Sequence, residues 1–141
     1  MPGASDAVEL KLLEHLVSRT NYPQPPNPLF LALTLALPID SDTAATISEA
    51  TYVGYARKSM LGSDWGAATI GPPTTIANIN PIVFANCTGG SNLILGFALT
   101  TTAAGAGDIQ AYGPCSPNIT INVAASPATF PPGTLVIQFP D

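Results

Sequence analysis

Four prolines fall within six residues, Pro23, Pro25, Pro26 and Pro28, in the stretch "NYPQPPNP". A proline locks its own φ, lacks an N–H, and keeps the residue before it out of the helical region. No regular helix can run through such a segment. It divides the chain into residues 1–28 and 29–141, and the apolar patterns on its two sides have different periods.

On the N-terminal side, Val8, Leu10, Leu12, Leu13, Leu16 and Val17 recur at helical spacing. Asp6, followed three residues later by Glu9, forms a capping-box-like start. Arg19 puts a cation in the last turn, where the helix dipole favours one. The pattern predicts a helix over 6–20, about 22 Å long. The arm "YPQPPNP" that follows is expected to be extended and semi-rigid. The helix can therefore lie on its own body or reach to a neighbour.

On the C-terminal side the period changes to two. "LFLALTL" sets Leu29, Leu31, Leu33 and Leu35 on one face and Phe30, Ala32 and Thr34 on the other. "TYVGYARKSM" alternates less cleanly, yet its aromatic and β-branched residues favour a strand. Further apolar runs are "TTIANI", "PIVFANC", "NLILGFALT", "DIQAYGP", "ITINV" and "LVIQF". Turn-rich "TGGSN", "TAAGAGD", "GPCSPN" and "SPATFPPGT" separate them. The fold expected is mainly β: an antiparallel β-sandwich or barrel-like body over 29–141, with one N-terminal α-helix and a Pro-rich arm over 1–28.

Charge limits the functions open to such a fold. Charged residues make up 9% of the 141 residues, against roughly 25% in an average soluble domain. Much of the surface is thus expected to meet other subunits or to carry neutral Thr, Ser, Asn and Gly. The net charge is -5, and the cations are Lys11, Arg19, Arg57 and Lys58. Four cations do not make a phosphate-binding groove, so no nucleic-acid partner is expected. "LFLALTLALP" falls short of the ~20 apolar residues a membrane helix needs. "MPGASDAVELK" lacks the basic and apolar regions of a secretory signal.

The residue types that carry catalysis are sparse. His15 is the sole histidine. It is read as a helix-surface residue, since no Gly-x-Ser-x-Gly elbow accompanies it. Asp40 and Asp42 in "PIDSDTAAT" read as a solvated turn. A small glycan-acting enzyme using them is the weakest of the readings considered. Cys87 and Cys115 are read as packed free thiols in preference to a bridge, and with His15 they match no zinc spacing. No catalytic residue, metal site or cofactor is expected. Tyr52, Tyr55, Phe84, Phe97 and Tyr112 are assigned mostly to the core. Trp65, in the turn-like "GSDWGAA", is the aromatic best placed for an outside contact.

The motifs "NYPQPP", "LALTLALP", "YAR", "IVFAN", "GDIQAYG" and "FPPGTLVI" occur in that order along nearly the whole chain. Their order resembles a family of small virion structural proteins of tailed bacteriophages, of head decoration or cement type and often labelled tail-fibre proteins. The loop "IDSDTAATISEA" lacks the glycines of that pattern. The resemblance implies a non-catalytic β-sandwich, made in the host cytoplasm and fixed on the outer surface of the capsid. The partners it implies are the major capsid protein and copies of the chain itself, a homotrimer being one arrangement open to it. A tail-fibre or other host-binding tail component is the alternative. The residues expected to make assembly contacts are the helix face Leu10, Leu13, Leu16 and Val17, the arm Tyr22, Pro23, Pro25, Pro26 and Pro28, and Trp65.

Overall fold

A computed structural model describes residues 3–125 and 127–139. One helix, α1 (Asp6–Leu16), precedes eight strands: β1 (Leu29–Thr34), β2 (Lys58–Met60), β3 (Thr74–Ala77), β4 (Ile82–Val83), β5 (Ser91–Thr100), β6 (Ile109–Asn122), β7 (Thr129–Phe130) and β8 (Val136–Phe139). The main sheet is antiparallel, in the order β2-β1-β5-β6. Two antiparallel ribbons, β3–β8 and β4–β7, accompany it.

The leucine face of β1 meets the matching face of β5. Leu31 pairs with Leu99 and Leu33 with Phe97, and all four side chains are buried. Phe84, Phe130, Ile82 and Leu135 complete this core from the ribbons, giving the body two layers. Leu29 and Leu35 are partly buried against it. The core assignment holds for Tyr52, Tyr55, Phe84 and Phe97. Tyr52 and Tyr55 meet edge to face at 5.4 Å, and Tyr55 stacks on Phe84 at 6.3 Å.

The opposite face of β1 is also buried. Ala32 pairs with Ala98, and both are fully covered. Two small residues side by side let a loop approach the sheet closely. A second cluster forms there from Ala32, Ala98, Ile47, Ile109 and Tyr112. Ile109 reaches this face because the register shifts between Leu99 and Thr100, leaving Gln110 between the partners Ala111 and Ile109. The shift is a bulge, which reverses side-chain parity along β6.

Four expectations need correction. The helix ends at Leu16, not at residue 20. Ser18 adopts φ 58, and the Arg19 N–H returns to the Glu14 carbonyl at 2.9 Å, so a left-handed residue closes the helix as glycine usually does. Asp6 is not the cap. Ser5 holds that position without a side-chain cap bond, because its Oγ donates to the Ile109 carbonyl at 2.6 Å. "TYVGYARKSM" yields a strand only at Lys58–Met60. Gly54, at φ 99, turns the chain where a Cβ would stand 2.7 Å from the Asn86 carbonyl oxygen. Finally, "GPCSPN" does not separate two strands. It lies within the 14-residue β6 and is absorbed by a register shift opposite Leu95.

Candidate functional site

The helix rests on the body by one narrow face. Val8 is its buried residue. Lys11 Nζ reaches Asp108 Oδ2 at 2.5 Å, and Gly3 pairs with Tyr112 just ahead of the helix. The leucine stripe points away from these anchors: Leu10 is 60% exposed, Leu13 63%, Leu16 76% and Val17 75%. Of the six apolar positions that predict the helix, Val8 faces the body while these four lie at the surface. Such a row has no folding role where it stands, which makes it a candidate contact face.

The proline arm has no regular secondary structure and runs close to the body. Its Tyr22 Oη donates to Gln110 Oε1 at 2.9 Å, and the Tyr22 N–H donates to His15 Nδ1 at 3.2 Å. Burial raises the Tyr22 pKa, Lys11 opposes the shift and Asp108 adds to it. Lys11, Tyr22, Pro23, Pro25, Pro26 and Asp108 border a cleft of about 200 Å³. A second cleft of about 240 Å³ brings Pro25 and Pro26 together with Trp65, Leu29 and Met60. Trp65 is half-buried and packs on the core edge. The structure thus joins Trp65 to the arm, while the helix leucines line neither cleft. Pro28 is half-buried where the arm enters β1.

The acidic turn is occupied with its own geometry. Asp42 Oδ2 accepts the Ile39 N–H at 3.0 Å, and Oδ1 accepts the Thr46 hydroxyl at 2.9 Å. Asp40 accepts the hydroxyl of Tyr112. The Tyr112 pKa is pushed up to about 12, first by burial, then by this bond and by the charges of Asp40, Glu9 and Asp6. Cys87 and Cys115 are buried and unbridged, and burial pushes the Cys115 thiol up to about 11. Among the described residues no group of three His, Cys, Asp or Glu side chains is placed to hold a metal. None of their helices is long and apolar enough to cross a membrane.

One cluster was missed from the sequence. Arg57, its side chain 2% exposed, bonds both oxygens of Glu49, Nε to Oε1 at 2.8 Å and Nη2 to Oε2 at 2.9 Å. Nη2 also donates to the Ala44 carbonyl at 2.8 Å, and Nη1 to the Thr102 carbonyl at 3.0 Å. Gly105 accepts from both nitrogens at 3.3 Å. Tyr55 Oη donates to Glu49 Oε1 at 2.7 Å and accepts the Leu33 N–H at 3.1 Å. This fork pins the 43–50 and 101–107 loops to the sheet. The signal available in the sequence was a cation in the apolar setting "YVGYAR" of a chain with so few charges. Such a cation needs a buried acid nearby.

The family model described as "Podophage GP4 fiber I protein gp80" matches residues 3–138. The chain belongs to this family. As a member of the gp80 family it is a structural protein of the phage virion. No curated protein matches it. Family membership agrees with the motif order in assigning a virion component, and the family description names a fibre.

Proposed function

We propose that this gp80-family protein decorates the outer surface of a phage head and bridges major capsid subunits, working by binding and without catalysis. The observation that carries this reading is the outward row Leu10, Leu13, Leu16 and Val17 on a helix already anchored by Val8 and Lys11. Fully burying such side chains stabilises by about 1.5–3 kcal/mol each. They are already partly covered, so the row supplies roughly 4–8 kcal/mol gross on docking. The cost of association, about 4–15 kcal/mol, is of the same order and consumes most or all of that gain. One helix face therefore holds poorly alone, and a cement built this way works through several contacts per copy. The engagement of Asp40 with Tyr112, of Asp42 with its own turn and of His15 with the arm supports a non-catalytic role.

A second reading, a fibre or host-binding tail component, is favoured by the family description and by the Trp65–proline cleft. Particles labelled with an antibody to this protein distinguish the two. Decoration of the head at hundreds of copies, with heads lacking the protein bursting earlier on heating, is the expected result. Label confined to the tail, or heads equally robust without the protein, would remove the cement role.

A further inference from the structure

The helical pattern and the fold part company at the end of α1. Apolar residues at helical spacing run through Val17, yet the helix stops at Leu16. The chain folds back there through Ser18, at φ 58 the one non-glycine residue with a positive φ among the described residues. A side chain in the left-handed region carries a strain that glycine would not. No proline forces this stop, since the first one beyond the helix is Pro23. From Val17 to Pro28 there is no regular secondary structure, and residues 21–28 make no backbone–backbone hydrogen bond among the described residues. Tyr22 and Asn27 tie this arm to the body, Tyr22 donating to Gln110 and Asn27 accepting the Gly62 N–H.

What the arm carries is closely fitted to β6. Gly3 and Tyr112 exchange backbone hydrogen bonds at 2.9 Å each, so the N-terminal segment pairs with the free edge of β6. Ser5 Oγ donates to the Ile109 carbonyl at 2.6 Å, and Ala4 and Val8 are buried. Lys11 meets Asp108. Asp108 is the one charged side chain between residues 65 and 139, so this ion pair fixes where the helix sits. These anchors lie within residues 3–11, and the whole of the arm separates them from β1.

We infer that this segment is exchangeable: residues 3–16 of one copy occupy the β6 seat of a second copy, which donates its own in return. The occupant is fixed by the structure, because segment and seat are already fitted together within one chain. Exchange remakes each anchor between copies and alters only the hinge. Straightened, residues 17–28 span roughly 35 Å at polyproline rise, about the diameter of a small domain. That is enough to reach an adjacent body. In the straightened form Ser18 leaves the left-handed region, and the helix is free to continue toward residue 20 as its spacing directs. A local preference overruled in the closed chain is recovered in the exchanged one. The inference does not depend on whether the protein sits on the head or the tail.

Charge reversal, read by sedimentation velocity of the full chain, tests it. Lys11→Glu and Asp108→Lys each put like charges across the seat, whether the chain is closed or exchanged with its own kind. In an exchanged dimer of the two variants, both seats regain an opposite-charge pair, one reversed and one as in the wild type. A one-to-one mixture is therefore expected to dimerise about tenfold more tightly than either variant alone. Both sites are part-exposed, and circular dichroism matching the wild type shows that each variant is folded. Ser18→Gly in both chains eases the closed turn and weakens a continued helix, so it should loosen that dimer several-fold. A mixture that associates no more tightly than its components overturns the inference. So does a mixed dimer that Ser18→Gly leaves unchanged, which would mean that the reversed patches meet surface to surface without exchange. The assay contains no phage particle, so failure here leaves the head-decoration reading standing.

Discussion

Replacing Arg57 by Met removes the one guanidinium that ties two loops to the main sheet. Glu49 loses both of its charge-assisted bonds, and the carbonyls of Ala44, Thr102 and Gly105 lose a donor. Breaking a buried pair from one side costs roughly 3–5 kcal/mol. The Glu49 side chain is 24% exposed, so water screens part of the orphaned carboxylate and the low end applies, about 3 kcal/mol. For a chain of this size each kcal/mol moves the melting midpoint by roughly 2–4 °C, giving a fall of about 6–12 °C. Urea denaturation should show a lower midpoint at an unchanged slope, since the surface exposed on unfolding is the same. Arg57→Lys keeps the charge but cannot span both Glu49 oxygens and the loop carbonyls, so an intermediate loss is expected. Arg57→Met combined with Glu49→Met should cost less than the sum of the two single changes, by about 1–3 kcal/mol. A single-variant loss under about 1 kcal/mol, or strict additivity, would refute the idea that this fork holds the loops.

Leu10→Glu and Leu13→Glu lie on the exposed helix face, so each should change folding stability by no more than about 0.5 kcal/mol. Copy number per purified particle, read from a stained gel, should fall sharply with either. Stability should be flat below about pH 9 and decline toward pH 12. Cys115 and Tyr112 are raised from ordinary values of 9.0 and 10.0 to about 11 and about 12. The unfolded chain therefore releases these protons first, and alkali favours it. Melting midpoints across that range check this, and Tyr112→Phe should make the decline shallower. Gly54→Ala places a Cβ against the Asn86 carbonyl at a positive φ and should destabilise by more than about 1 kcal/mol, read by urea denaturation. Both thiols should resist a thiol reagent in the native protein and react on unfolding, because both are buried.

The helix stripe, the alternation of "LFLALTL" and the turn residues between apolar runs gave the mainly β antiparallel plan with one leading helix. Each of those signals is local. Apart from the helix end, which Ser18 closes locally, a distant partner had intervened where the expectations missed. Ser5 Oγ is drawn to Ile109 and away from the helix start. The "GPCSPN" turn is held in register by β5 on either side of it. Arg57 leaves an alternating run because Glu49 and three carbonyls wait inside. The candidate contact residues fall into two groups in space, and the sequence offered no means of dividing the exposed helix leucines from the arm and Trp65.

What the sequence determined alone was that a helix precedes the proline arm and a strand follows it, since proline geometry and side-chain period act within a few residues. It also determined that little charge would be available to cover the surface. The tertiary structure decided which apolar rows are covered. Both faces of β1 are buried because Ala32 and Ala98 are small enough to admit a loop. The stripe of α1 is exposed because Val8 and Lys11 had already chosen the face that docks. Burial depends on what lies across the gap, and for this chain that neighbour is set by strand register and loop placement, which act between residues far apart in sequence.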